Sequence, residues 1–138
     1  MKKLLRSLLA VMLIVVTVTA FTACKKDKKK SESQISPSKV EDKLKDLDYE
    51  VGLIDDEVVL DEYAEALDVD GITAIIEAWS EDDYSYVTII WLEKKADAED
   101  ALDTIEEIAD YEVASNGKIV VAGEGDAFDD ACDIVKAK

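Results

Sequence analysis

Three acidic residues, Asp68, Asp70 and Glu77, have types and spacings that could serve a calcium site, because calcium takes carboxylate oxygens as ligands. If Gly71 is the sixth residue of an EF-hand loop, Asp68, Asp70 and Glu77 occupy ligand positions 3, 5 and 12. The first ligand position then falls on Ala66, which has no side-chain oxygen. The run after Gly71, ITAII, favours a strand over the exiting helix that such a loop needs. The pattern therefore predicts a glycine turn between a helix and a strand, with a cation site as the alternative.

Histidine is absent from the 138-residue chain. Its absence excludes His-activated nucleophiles, His metal ligands and the commonest general acid–base group near neutral pH. An enzyme would have to work with Asp and Glu alone, and one of them would need an apolar pocket. Among 33 acids the sequence distinguishes none, so it predicts no catalytic residue and no cofactor. Cys24 and Cys132 are the only cysteines, which gives no disulfide framework, and Cys132 is expected in the core.

Hydrophobic spacing predicts four helices and five strands in the order α-β-α-β-β-α-β-β-α. Strands paired through tight turns indicate an α+β fold, with a mostly antiparallel sheet of about five strands and helices packed on it. A capping box at Ser38 and Glu41 begins the first helix, and Asp97 caps the third. Asn116-Gly117 predicts a type I′ turn in the second hairpin. The remaining elements are strands 49–54, 72–80, 84–93, 111–115 and 118–122, and helices 57–67 and about 126–135.

The first hairpin has the most apolar strands of the chain. A three-residue loop, 81–83, would pair Ser80 with Tyr84 and place two tryptophans and two isoleucines on one face. If all helices pack on the other side, this face is open, and exposed apolar patches mark interaction or ligand surfaces. A covering helix or a second chain is the alternative. The predicted binding face comprises Ile75, Trp79, Ile89 and Trp91.

The N-terminus has the layout of a secretory signal, with a basic start, no charge from Ser7 to Cys24, and small residues just before Cys24. The segment Phe21-Thr22-Ala23-Cys24 resembles the lipobox of bacterial lipoprotein precursors, with Phe21 where Leu is usual. The resemblance covers about the first 24 residues. It implies that signal peptidase II cuts before Cys24, that Cys24 receives a diacylglyceryl group, and that 115 residues remain.

An uncleaved anchor helix is the alternative, because eighteen uncharged residues reach the lower limit of a membrane span. The positive-inside rule would then place the domain in the cytoplasm, since more basic residues follow the apolar run than precede it.

The chain joins a basic head to an acidic body. Residues 1–30 carry a net charge of +7, and residues 39–138 carry 31 acids against 8 lysines, a net charge of −23. Such a body would be repelled by nucleic acid. The polar segment after Cys24 predicts a disordered tether, and its lysines would bind anionic headgroups. These lysines are Lys25, Lys26, Lys28, Lys29 and Lys30.

The sequence therefore predicts three regions: a removed signal peptide (1–23), a lipid-bearing tether (24–36) and an acidic α+β domain (37–138). The predicted function is a binding or protein-interaction module, held by lipid on the extracytoplasmic side of the cell membrane, with an unknown protein or small ligand as partner. The alternatives are a small carboxylate-dependent enzyme and a cation-binding acidic domain.

Overall fold

The domain is built on one antiparallel sheet with two helices on each face, as the computed structural model of residues 35–138 shows. The strands lie in the order β1-β2-β3-β5-β4, and all neighbours pair antiparallel. The predicted α+β class and the predicted order of nine elements are confirmed. The elements are α1 (Pro37–Asp46), β1 (Glu50–Ile54), α2 (Glu57–Leu67), β2 (Ile72–Trp79), β3 (Tyr86–Leu92), α3 (Lys95–Ile108), β4 (Glu112–Asn116), β5 (Ile119–Glu124) and α4 (Asp126–Val135).

The predicted signal peptide, Cys24 and the five tether lysines all lie outside the described residues, so their roles stay predictions. Within residues 35–138, no helix has the length and apolar character needed to cross a bilayer.

Local chemistry explains where two of the four helices begin, and two of the predicted caps are wrong. Asp56 caps α2, since its Oδ1 accepts from the backbone N–H of Val58 at 2.9 Å. α1 begins at Pro37 instead of after Ser38, because the fixed φ of proline suits the first helical position. α3 begins at Lys95, which places Asp97 inside its first turn, where a carboxylate still favours the positive helix end.

Two apolar cores lie on opposite faces of the sheet. We call the face under α2 and α3 the Glu77 face, and the face under α1 and α4 the Trp91 face. Side chains alternate between the faces along each strand, and because helices cover both, the inner strands are apolar on both sides.

Candidate functional site

A buried carboxyl group lies at the centre of the Glu77 face. Glu77 has no exposed surface, although Glu is almost never fully buried without a partner. Its neighbours across the sheet are Gly52 on β1 and Thr88 on β3. The hydroxyl of Tyr63, on α2, donates to Oε1 of Glu77. The Tyr86 and Thr88 hydroxyls hydrogen-bond to each other beside it, and we call Glu77, Tyr63, Tyr86 and Thr88 the Glu77 cluster.

Burial controls the ionisation of this cluster. It raises the pKa of Glu77 from its usual 4.5 to about 7, and the hydrogen bond from Tyr63 offsets only part of that rise. Burial next to the Glu77 carboxyl also raises the pKa of Tyr63 well above its usual value. Oε2 of Glu77 has no hydrogen-bond partner among the described residues, so the ionised form is poorly compensated.

A carboxyl with a pKa near neutrality is what general acid–base chemistry needs. However, a catalytic group must come within hydrogen-bond reach of a substrate, and the side chain of Glu77 is sealed between the sheet and α2. The geometry therefore favours a structural acid that couples β2 to α2.

The predicted binding face is not a single face in the structure. Ile75 and Trp79 lie on the Glu77 face, whereas Ile89 and Trp91 lie on the Trp91 face. Ile75 and Ile89 are fully buried and Trp91 is 7% exposed, so helices cover them, as the alternative had it. Trp79 alone keeps partial exposure, at the last position of β2.

The cause is a shift of the hairpin register by one residue. The loop has four residues, Glu81 to Tyr84, and the Ser80 N–H donates to the carbonyl of Ser85. Trp79 consequently pairs with Tyr86, and such a shift moves every side chain of one strand to the other face. The second hairpin also differs from the prediction, because its two-residue turn is Gly117-Lys118, with φ of +61° at Gly117.

The candidate cation ligands are not brought together. Asp68 ends α2 in a left-handed conformation, and Asp70 is exposed in the turn before β2. Glu77 lies five residues into β2, about 17 Å along the strand from its start. Gly71 has φ of +77°, so the predicted glycine turn is confirmed. Within residues 35–138, no group of three or more acidic or cysteine side chains is arranged to hold a metal ion.

Cys132 is half-buried on α4, against the core of the Trp91 face. Burial, with Asp129 and Asp133 nearby, raises the pKa of its thiol to about 11. A thiol in this state is a poor nucleophile at neutral pH, which agrees with its predicted packing role.

One end of the sheet is uniformly acidic. The paired residues Glu50, Trp79, Tyr86 and Glu124 mark this end, which we call the distal end and define as segments 46–50, 80–85, 110–112 and 124–126. These segments contain no lysine or arginine. They contain ten acids, all of them exposed: Asp46, Asp48, Glu50, Glu81, Asp82, Asp83, Asp110, Glu112, Glu124 and Asp126.

An exposed aromatic ring stands among these acids. Tyr84 is 86% exposed at the tip of the β2–β3 loop, where its backbone is left-handed with φ of +57°. The loop is held by Asp83, whose Oδ1 accepts from the Ser85 hydroxyl at 2.8 Å and the Ser85 N–H at 3.1 Å. These bonds keep the pKa of Asp83 below its usual value. Leu47, 49% exposed, and the half-buried Trp79 add apolar surface at the same end.

Tyr49 fastens the distal end to α4. Its ring is buried in the Trp91 face, and its hydroxyl donates to Oδ2 of Asp130 at 2.7 Å. Burial, and the neighbouring carboxylates of Asp130, Asp83 and Asp126, raise the pKa of Tyr49 well above its usual value. The hydroxyl therefore remains a donor across the physiological range.

The opposite end has the reverse charge. We call it the proximal end and define it as segments 35–39, 93–95, 116–118 and 136–138, near the paired residues Trp91 and Ile119. Glu93 is the one acid in these segments, while Asp68 and Asp70 lie nearby on the α2 side. The segments contain six of the domain's eight lysines: Lys39, Lys94, Lys95, Lys118, Lys136 and Lys138.

In comparisons with protein-family models, curated proteins and solved structures, the sequence matches none.

Sequence reasoning missed both Glu77 as a buried acid and Tyr84 as an exposed ring. A signal for the first was present, since Glu77 interrupts the apolar run ITAIIEAW in a strand with apolar residues on both faces. For Tyr84 the signal was its place beside Glu81-Asp82-Asp83, which is typical of a loop.

Proposed function

We propose that this protein is an extracytoplasmic lipoprotein, anchored through Cys24, whose acidic domain is a protein-interaction module. The observation that carries the interaction is the distal end, where an exposed Tyr84 stands among ten exposed acids with no lysine. The sealed faces of the sheet exclude the apolar surface first considered, and so the distal end replaces it as the binding surface.

The chemistry of this surface fits a positively charged segment of a protein partner. Carboxylates of one sign attract lysine and arginine side chains and speed their encounter. An exposed tyrosine ring adds cation–π attraction for the same side chains. Because the distal segments contain no lysine or arginine, the partner would supply the positive charge.

Binding of a basic probe to matched variants tests this proposal. The probe is a decalysine peptide, titrated calorimetrically at low salt against the purified full chain. The distal variant replaces four exposed acids by amides: Glu50→Gln, Glu81→Gln, Asp82→Asn and Glu124→Gln. The control removes the same charge from the helix surfaces: Asp61→Asn, Glu62→Gln, Glu65→Gln and Asp100→Asn.

We expect the distal variant to bind about 30-fold more weakly than wild type, at about 0.5 kcal/mol for each charge. The control should lose only the few-fold that follows from a lower net charge. Equal losses in both variants would show general attraction to an acidic protein and would contradict a distal site.

A small enzyme is the second candidate, and the raised pKa of Glu77 is the observation that favours it. A substrate would reach Glu77 only if α2 moved away from the sheet, since Tyr63 on that helix covers the carboxyl. The proposed lipid anchor and the proposed distal binding surface would stand whether or not the protein is also an enzyme.

A further inference from the structure

A groove opens at the proximal end, between α1, α4 and the β4–β5 hairpin. Its volume is about 420 Å³. Ile35, Ile134 and Val135 give it an apolar floor, and Lys43 and Lys136 line it with Asp133 as the one acid. The Asn116 amide, which also lines the groove, donates to the carbonyl of Val135 at 2.8 Å and fixes the hairpin to the end of α4.

The two lysines are available for an anion. Both are exposed, and neither has an ion-pair partner among residues 35–138. Lys45, one turn away from Glu41 on the same helix, is by contrast paired with it at 3.0 Å. Two unpaired ammonium groups at one groove match the charge of a phosphate group.

The groove also lies where the chain leads to the predicted lipid. Ile35 lines it, and the carbonyl of Ile35 accepts from Nε1 of Trp91 at 3.0 Å, which fixes this point to β3. Cys24 lies eleven residues earlier, so the two are at most about 40 Å apart. Lys39, one helical turn before Lys43, and Lys138, whose backbone pairs with Ser115, lie at the same end of the sheet, whereas the distal end is uniformly acidic.

We propose that the proximal end docks on the anionic membrane surface, with the groove between Lys43 and Lys136 holding the phosphate of an anionic phospholipid headgroup. This inference rests on the anchoring proposed above. Docking would fix the domain with its acidic distal end directed away from the membrane. The tether lysines alone would leave that orientation free.

Lys136 has a purely structural alternative, because it follows the negative end of α4, where a cation is favourable. Lys43 lies in the last turn of α1, where a cation is favourable for the same reason. The experiment must therefore measure Lys43 and Lys136 together, and its result must differ between anionic and neutral lipids.

The test is chemical acetylation of the lysines of the full mature chain bound to lipid vesicles. Mass spectrometry then measures how fast each lysine reacts. One set of vesicles contains phosphatidylglycerol and the other only phosphatidylcholine. With phosphatidylglycerol, we expect Lys43 and Lys136 to react about fivefold more slowly, while Lys45, which lies outside the groove and the proximal segments, changes less than twofold. A third arm adds inorganic phosphate to the phosphatidylcholine vesicles and should protect neither lysine.

Two double variants separate the groove from general attraction. Lys43→Gln/Lys136→Gln should abolish the protection of Lys39 and Lys138 by phosphatidylglycerol. Lys94→Gln/Lys95→Gln, which removes equal charge elsewhere at the proximal end, should retain it.

Equal protection of all lysines, or none, would overturn the docking proposal, and protection by inorganic phosphate alone would replace the membrane with a soluble anion. The intact mass of the same sample reports the anchor separately. Protection on a chain without lipid would support the groove while refuting the lipid at Cys24.

Discussion

The distal and proximal ends are about 25 Å apart, at opposite ends of the same strands, yet their charges are opposite. The distal segments hold ten acids and no lysine, whereas the proximal segments hold six lysines and one acid. The overall charge of the domain conceals this polarity. An acidic protein can therefore present a face that suits an anionic membrane while directing its acidic surface elsewhere.

Between the two ends, Glu77 shows how differently the same functional group behaves in the interior. The ten acids of the distal segments are exposed to solvent. The Glu77 carboxyl is sealed, has a pKa near 7, and bonds to a single tyrosine. Position in the fold decides whether a carboxylate contributes to binding or to stability.

The largest effect should come from removing the proposed lipid anchor, which would hold the proximal end near the membrane. In Cys24→Ser made without residues 1–23 we expect complete loss of membrane association, because a chain with neither acyl groups nor the apolar run retains only weak electrostatic binding. Fractionation of membranes washed with high salt measures this. Cys132→Ser serves as the control and should remain fully membrane-bound. Salt-resistant association of Cys24→Ser would show that another part of the chain anchors it.

Replacing the interior carboxyl should change stability without changing either end. The pKa of Glu77 is raised in the folded state, so its contribution to stability is fully present below pH 4.5 and is lost as the pH rises through about 7. Glu77→Gln has no such titration. Between pH 4 and pH 9 we expect the variant to gain about 3 kcal/mol relative to wild type.

Urea unfolding across that pH range measures the gain. Glu93→Gln, an exposed acid at the proximal end, should follow the pH dependence of wild type. A Glu77→Gln variant that also follows it would show that Glu77 titrates normally in the folded protein.

A smaller stability effect should arise at the distal end. Tyr49→Phe removes the hydroxyl that donates to Asp130, and we expect a loss of about 1.5 kcal/mol in the free energy of unfolding near neutral pH. Tyr84→Phe, which changes an exposed hydroxyl, should cost almost nothing. The urea midpoints of Tyr49→Phe and Tyr84→Phe are compared. Equal midpoints would mean that the Tyr49–Asp130 hydrogen bond does not hold the distal end to α4.

The smallest effect concerns the exposed ring itself. Tyr84→Ala should leave the unfolding free energy within about 0.5 kcal/mol of wild type. It should weaken decalysine binding about threefold, because a surface cation–π contact is modest. Calorimetric titration provides the measurement, with Val58→Ala, another exposed apolar side chain, as the control. An unchanged affinity would leave the acids alone as the distal surface.

Much of the fold was predictable because the local signals agree. Asp56 precedes an amphipathic helix, Gly71 supplies a turn with positive φ, and apolar runs of strand length lie between the helices. The order of elements follows from these signals. The number of helices on each side of the sheet does not follow from these signals. Apolar residues on both faces of β2 and β3 are compatible with helices on both sides and equally with one open face.

The candidate site was less predictable because it depends on register. A fourth loop residue, Tyr84, adopts a left-handed conformation that few side chains favour. That extra loop residue shifts the pairing of β2 with β3 by one position from the predicted register. The four residues of the predicted binding face are consequently divided between the two faces of the sheet. The polarity of charge likewise appears only when strand pairing brings distant segments to one end.

The most direct test of the proposed lipid anchor is the intact mass of the protein extracted from membranes. We predict a chain of residues 24–138, 115 residues long, with acyl groups on Cys24. That product would tether the domain from the proximal end and would leave the distal end available to a partner. A product that retains Met1 to Ala23 without lipid would contradict the account.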